Sequence, residues 1–477
     1  MGMTPQSNLI AEPRAPSICW LFSLLISTLL ASSSMLSTAL AATPSRLSDD
    51  FHAASQFDPE FQSAIAQRDA GLETQEQAMA SLRPQAYISF QRSINDTFSR
   101  STTALGPIDR RFENYPSLNA SIQIRQAVYR PKLWATLDQS RFQAIYAELS
   151  LLGAQQDLGL RLLSNHAQWA SAALSKQLAE QGLVIQQRML LNTKQQSLAG
   201  ELTRVDVELS DARVAQANSQ ISDASSALAA ARFAVMQMTG TAGVDGSPST
   251  LRPVDPIKLP LDLIERLPMA LTTLQEWRKA ADQTSPVIRA YGIAVEVAAQ
   301  ETRKASADHW PTVDAFASRS QATSTMENTI GTDFRSAAIG VQINVPIYSG
   351  GAVNSQIRQT EALLRRAQQD LLSTRAKIAN EVEREWHNLE AARALANSQR
   401  TLLRALGLSF QAVKRGQNAG VATRMDEDQI GLQIIGAERE LALANARALS
   451  AWARLMASIG GLSAQSMQQL QLEALSD

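Results

Sequence analysis

The chain has 477 residues and a formal net charge of −1, which excludes a bulk electrostatic pull toward nucleic acid. Length alone would suggest several ordinary domains, but only 22 Gly and 17 Pro in a chain rich in Ala, Gln, Leu, Arg and Glu argue for long helices instead. A single cysteine, Cys19, excludes an internal disulfide and a thiolate metal site.

The first segment, 1–41, reads as an export signal. Arg14 precedes the apolar run ICWLFSLLISTLL, and no charge appears before Arg46. Ala39-Leu40-Ala41 fits the small-x-small cleavage pattern, which places cleavage near Ala41. An uncleaved anchor is the alternative, since the uncharged run is long enough to span a bilayer. Cys19 opens the apolar run instead of closing it, which argues against a lipoprotein. No later segment is apolar enough for a transmembrane helix.

The rest of the chain is written twice. Pro59 and Pro286, like Pro84 and Pro311, lie 227 residues apart. Gln123 and Gln342, like Tyr129 and Tyr348, lie 219 apart; Asp206 and Asp426, like Gly240 and Gly460, lie 220 apart. The offset changes by eight only between Pro84 and Gln123 and nearly holds elsewhere, so the first copy holds eight extra residues in one loop. The expected organisation is a first repeat over 42–240, a linker or equatorial segment over 241–285, a second repeat over 286–460 and a tail over 461–477.

Each repeat opens with a helix, 58–82 or 286–308, that stops at a proline. Two strands follow. In AYISFQRSIN, 86–95, Ala86, Ile88, Phe90 and Ile94 share a face. In LNASIQIRQAV, 118–128, Leu118, Ala120, Ile122, Ile124 and Val128 oppose Asn119, Ser121, Gln123 and Arg125. The second copy has VDAFASRSQ, 313–321, and AAIGVQINVPI, 337–347. This period of two means strand, and about ten residues suit a tilted membrane strand. The loop 98–117, with Asp109, Arg110 and Arg111, is expected to be the longer extracellular loop. Arg319 falls among apolar neighbours and would have to sit at the membrane interface.

Next comes a helix of unusual length. Lys132 to about Gln196 would run about 95 Å at 1.5 Å per residue, and the second copy runs from about Val353 to Arg415. A glycine turn, SLAGEL or GQNAGVA, leads into return helices, Thr203 to Met238 and Thr423 to Ser458. Antiparallel helices of this length should pack as a coiled coil.

Four strands with one apolar face cannot close around a lumen, yet lipid demands a closed barrel. Several copies of the chain must therefore share one barrel. A soluble α+β protein, with the apolar faces turned inward, is the competing reading.

The stretch GVQINVPIYSGGAVNSQIRQTEALLRRAQQDL, 340–371, resembles the TolC-type outer-membrane efflux and secretion channels, and so does SPVIRAYGIAVEVAAQETRKASADHWPTVDAFAS, 285–318. The resemblance covers essentially the whole mature chain. It implies an α+β membrane protein: a homotrimer whose protomers each give four strands to a twelve-stranded β-barrel in outer-membrane lipid, continued by a periplasmic coiled-coil tunnel. It also implies a periplasmic adaptor (a membrane fusion protein) and an inner-membrane pump, ABC-type or proton-driven. The function expected is a passive exit duct, with type I protein secretion ahead of drug or metal efflux. A non-conducting periplasmic scaffold is the rival of a different class.

No catalytic or cofactor constellation stands out. His52, His166, His309 and His387 are scattered, no glycine-rich phosphate loop follows a strand, and the acidic runs LSDD and EVERE read as solvated charge. The chain is expected not to be an enzyme and to need no metal or cofactor.

The repeated Thr-Arg-x-Asp reads first as a helix cap. Thr203 and Thr423 stand at N-cap positions with Asp206 and Asp426 three residues on, a capping box with Asp in place of Glu. The resemblance adds that Asp426 matches an aspartate lining the constricted tunnel entrance, where three copies would make an anionic ring. It matches Asp206 to an aspartate that ties neighbouring coils together. The family pattern has a second ring aspartate where this chain has Gln429, and Asp428, one residue short, should point elsewhere. Its lock tyrosine corresponds to Gln417 and its lock arginine to Ala422, with Arg424 the available substitute. The adaptor should dock on the two turns, at Ala199, Gly200, Ala419 and Gly420.

Overall fold

The computed structural model describes residues 46–104, 106–241, 256–269, 271–324 and 332–475. The leader with its cleavage site at Ala41 lies outside the described residues, as do 242–255 of the linker. Two short helices come first, α1 (Arg46–Phe57) and α2 (Pro59–Ala80). They break at Asp58, whose carboxylate accepts the Phe61 amide at 3.0 Å and caps α2, with Pro59 at the first helical position. Strands β1 (Gln85–Thr103) and β2 (Gly106–Tyr129) lead into α3 (Pro131–Leu198) and α4 (Arg204–Met238). After α5 (Leu263–Arg266) and α6 (Leu274–Thr284), the same order returns: α7 (Pro286–Ser306), β3 (Thr312–Ser324), β4 (Thr332–Asn344), α8 (Ala352–Asn418) and α9 (Arg424–Ser458). Helix α10 (Ala464–Ala474) ends the chain. No described helix is long and apolar enough to cross a membrane.

The four strands form one antiparallel sheet in the order β1-β2-β3-β4. The expected alternation is present: Ile88 pairs with Ile122, Ile122 with Arg319, and Arg319 with Ala337, all on one face. The opposite face is lined with hydroxyls. Ser89 pairs with Ser121, Ser121 with Ser320 and Ser320 with Ser336, and the Ser89 and Ser121 hydroxyls lie 2.7 Å apart.

The strands exceed the expected ten residues, and the expected loop 98–117 is strand instead. Pairing continues through Phe98↔Arg111 and Arg100↔Asp109 to Thr103↔Gly106. A bulge between Asn95 and Thr97 carries the hairpin onward. Asn114 takes a left-handed backbone there (φ 52), and its amide donates to Asp96 at 2.6 Å. Beyond the bulge the apolar alternation fades, but the Arg100–Asp109 pair (Nη2 to Oδ2 2.7 Å) holds the two strands together.

Helices α3 and α8 have 68 and 67 residues, so each runs about 100 Å. Each turns back on a partner of 35 residues, α4 or α9. Helix α3 also packs on α9, giving the lateral order α4-α3-α9-α8. The main core sits where α1, α6 and α10 wrap this bundle, around Leu158, Leu162, Trp277, Leu389, Trp452 and Met467. The Trp452 indole donates to the Pro268 carbonyl at 2.9 Å and Asn445 donates to Pro260 at 3.0 Å, which fasten the linker to α9. The tail therefore adds a helix, α10, with Met467 and Leu470 fully buried.

Edges remain on both layers. Among the described residues β1 and β4 each pair on one side only. The outermost helices also leave apolar side chains exposed: Val205, Leu209 and Phe233 on α4, and Leu372, Leu402 and Leu408 on α8.

Candidate functional site

The two turns at the ends of α3 and α8 farthest from the sheet have the same construction. Ala199 and Ala419 close their helices, and Gly200 (φ 78) and Gly420 (φ 76) take the left-handed conformation that stops them. The Glu201 amide then reaches back to the Gln196 carbonyl at 3.0 Å, and the Val421 amide to Gly416 at 2.9 Å. The Gly200 and Gly420 amides bond Ser197 and Gln417, completing a Schellman motif at each turn. Orphan carbonyls at these exposed ends are thereby paired within the turn.

Two residues later each return helix begins with a reciprocal capping box. The Thr203 amide donates to Asp206 Oδ2 at 2.8 Å, and the Asp206 amide donates to Thr203 Oγ1 at 3.3 Å. The Thr423 and Asp426 distances are 2.9 and 3.2 Å. Hydrogen bonds from the threonine side chain and then its backbone hold both carboxyls below the usual carboxylate range, so both are ionised. Asp426 is exposed and Asp206 half-buried. Arg424 is exposed beside Asp426.

The positions matching the family's lock are used differently. Gln417 Nε2 donates to the Thr423 carbonyl at 2.9 Å, which ties the turn to itself. Ala422 packs its methyl against Gly416, whose added Cβ would meet it at 3.0 Å.

Asp428 points away from Asp426, as two helical steps of about 100° each require. It is 2% exposed and accepts Arg188 Nη1 of α3 at 2.7 Å. Burial pushes its carboxyl up from the ordinary value, and Arg188 only partly opposes this. A groove of about 430 Å³ beside the pair is lined by Ile185, Phe410, Gly431 and Glu438. Burial also pushes Glu438 up. Arg188 lies 240 residues from Asp428, and no local spacing marks it.

The acidic runs are not wholly solvated. Glu385, within EVERE, is 1% exposed and accepts Arg454 at 3.1 Å, Arg384 at 3.1 Å and Asn388 at 3.0 Å. Burial pushes its carboxyl up, but these bonds together outweigh burial and hold it low. Asp50, within LSDD, is buried 3.3 Å from the equally buried His166. On a helix some members of any short charged run must face the bundle. Among the described residues no group of three or more His, Cys, Asp or Glu is placed to hold a metal ion.

Comparisons with known proteins agree with this architecture. A family model described as "Outer membrane efflux protein" matches residues 277–461. The chain is 26% identical over 433 residues to the proteases secretion protein PrtF of Dickeya chrysanthemi, covering 89% of this chain and 90% of that protein. It is 24% identical over 412 residues to the alkaline protease secretion protein AprF of Pseudomonas aeruginosa, covering 86% and 83%. The crystal structure of the outer membrane protein VceC from Vibrio cholerae superimposes with a TM-score of 0.68 at 17% identity, covering 87% of this chain and 96% of that one.

Proposed function

Because this chain belongs to the TolC-type outer-membrane efflux and secretion channel family, with its strands in the outer membrane and its helices in the periplasm, we propose that it is the exit duct of a type I protein secretion machine. The observation that carries the choice of cargo is near full-length similarity to two proteins named for protease secretion. Three protomers supply the barrel, whose hydroxyl-lined face is the wetted wall. The turns at Ala199, Gly200, Ala419 and Gly420 are the docking points for a periplasmic adaptor, behind which an ATP-driven inner-membrane exporter supplies the energy. Asp426, exposed and ionised in each protomer, forms the anionic ring at the tunnel entrance. Asp206, half-buried, holds the first coil at its start.

The second reading, a drug or metal efflux duct, draws on the family model's own description. Deleting the gene separates the two. Secretion predicts loss of a protein from the culture supernatant, with drug and metal susceptibility changed less than about twofold. Unchanged supernatant proteins with sharply raised susceptibility would favour efflux.

A further inference from the structure

On β3 and β4 the apolar face of the sheet is interrupted by arginine at two successive levels. Going up β3 and β4 from the helical end, outward-facing pairs run Val313↔Ile343, Ala315↔Val341 and Ala317↔Ile339, then Arg319↔Ala337 and Gln321↔Arg335. Apolar side chains also continue downward to Val345 and Ile347, both exposed. Strand β4 ends at Asn344 and the chain runs on without strand pairing to Ile347. From Ile347 to Ala337, the partner of Arg319, the extended chain spans at most about 34 Å, which a tilt near 40° reduces to about 25 Å of height. That equals the usual apolar band of an outer-membrane barrel. Arg319 and Arg335 therefore stand at the rim away from the periplasm, at the headgroups of the outer leaflet.

Arg319 and Arg335 are diagonal cross-strand neighbours, about 7–8 Å apart at the backbone. Both side chains are exposed. One step further out on the same face stands Arg92, paired with Leu118. Among the described residues only Asp333 offsets this charge, bonding Arg335 at 2.8 Å and Gln321 at 3.2 Å. Three arginines against one aspartate leave the rim cationic. Ile88 and Ile122 stand level with Arg319 on β1 and β2, and Ile339 lies one step below it, all exposed and apolar.

We propose that Arg319 and Arg335, supplemented by Arg92, bind a phosphate of a phosphorylated lipid in the outer leaflet. Like charges on adjacent strands repel, and an anion between them removes that cost. A soluble phosphate would satisfy the arginines but leave the isoleucines beside and beneath them facing water. A phosphate carried on acyl chains satisfies both.

The test uses the purified full-length trimer in detergent, with lipid counted by native mass spectrometry. The probes are lipid A bearing two phosphates, the same lipid enzymatically dephosphorylated, and inorganic phosphate. Phosphorylated lipid should be retained at least about tenfold better than the dephosphorylated form, a factor charge-assisted bonds to one phosphate readily supply. R319Q/R335Q should abolish the preference, whereas R110Q, on the opposite face of the hairpin, should keep it. Equal retention of the two lipids by the unaltered protein would overturn the proposal, and this comparison needs no variant to fold. Retention by R319Q/R335Q at the unaltered level, loss in R110Q as well, or displacement by equimolar inorganic phosphate would overturn it too.

Discussion

At the residue scale, three aspartates near the two turns respond to protons in opposite senses. Asp206 and Asp426 have folded values below the usual carboxylate value near pH 4. Their caps are therefore fully in place above about pH 4 and weaken as the pH falls through the lowered folded values. Asp428 has a raised folded value, so its contribution is fully present below about pH 4 and declines as the pH rises through that value. Hydrogen exchange corrected for intrinsic rate should show residues around 425–432 better protected at mildly acidic than at neutral pH. D428N should remove that dependence; a pH response identical in the variant would refute the assignment. Truncating the partner is the harsher change. R188A leaves a buried carboxylate unpaired and should cost about 1–3 kcal/mol, seen as faster proteolysis near the turn. For conduction, D426A should lower cation preference in planar-bilayer recordings, and D206A should not. Unchanged selectivity in D426A would leave Asp426 as a cap alone. The threonine–aspartate boxes could be read from four adjacent residues because capping is local. The Arg188–Asp428 pair could not, because it depends on how α3 and α9 rotate against each other.

At the element scale, alternation of apolar and polar residues marked the strand faces, and glycine with Thr-x-x-Asp marked the turns. Strand length was not legible. Beyond Asn95 the apolar alternation stops while backbone pairing continues, with Arg100 and Asp109 across it. Helices α1 and α10 were also hidden, being short segments whose buried residues matter only when they meet the bundle. A close approach between α2 and α3 provides a test of the helical packing. A Cβ on Gly71 would lie 2.5 Å from the Ala147 Cβ. Gly to Ala in a helix ordinarily stabilises by up to about 1 kcal/mol. Here G71A should instead destabilise by about 1–3 kcal/mol through overpacking, read as a lower thermal transition. A raised transition would show that α2 stands further from α3.

At the scale of the whole molecule, the two layers have matching unfinished edges. Strands β1 and β4 lack one neighbour among the described residues, and α4 and α8 carry exposed apolar residues on the corresponding flanks. Three protomers closed in a ring finish both layers at once, and this explains why a single chain leaves so much apolar surface uncovered. Leu372 is 53% exposed in the isolated chain. L372E should convert the trimer to monomer on native gels, while K414E should not; a stable L372E trimer would put Leu372 outside the protomer interface. The two hairpins are also unequal: β1 has 19 residues, whereas β3 and β4 have 13 each. Around a threefold axis this gives the mouth a castellated rim, with three tall merlons formed by the β1–β2 hairpins. An epitope inserted at Gly106 should therefore be stained by antibody on intact cells, and the same epitope at Gly420 only after the envelope is permeabilised.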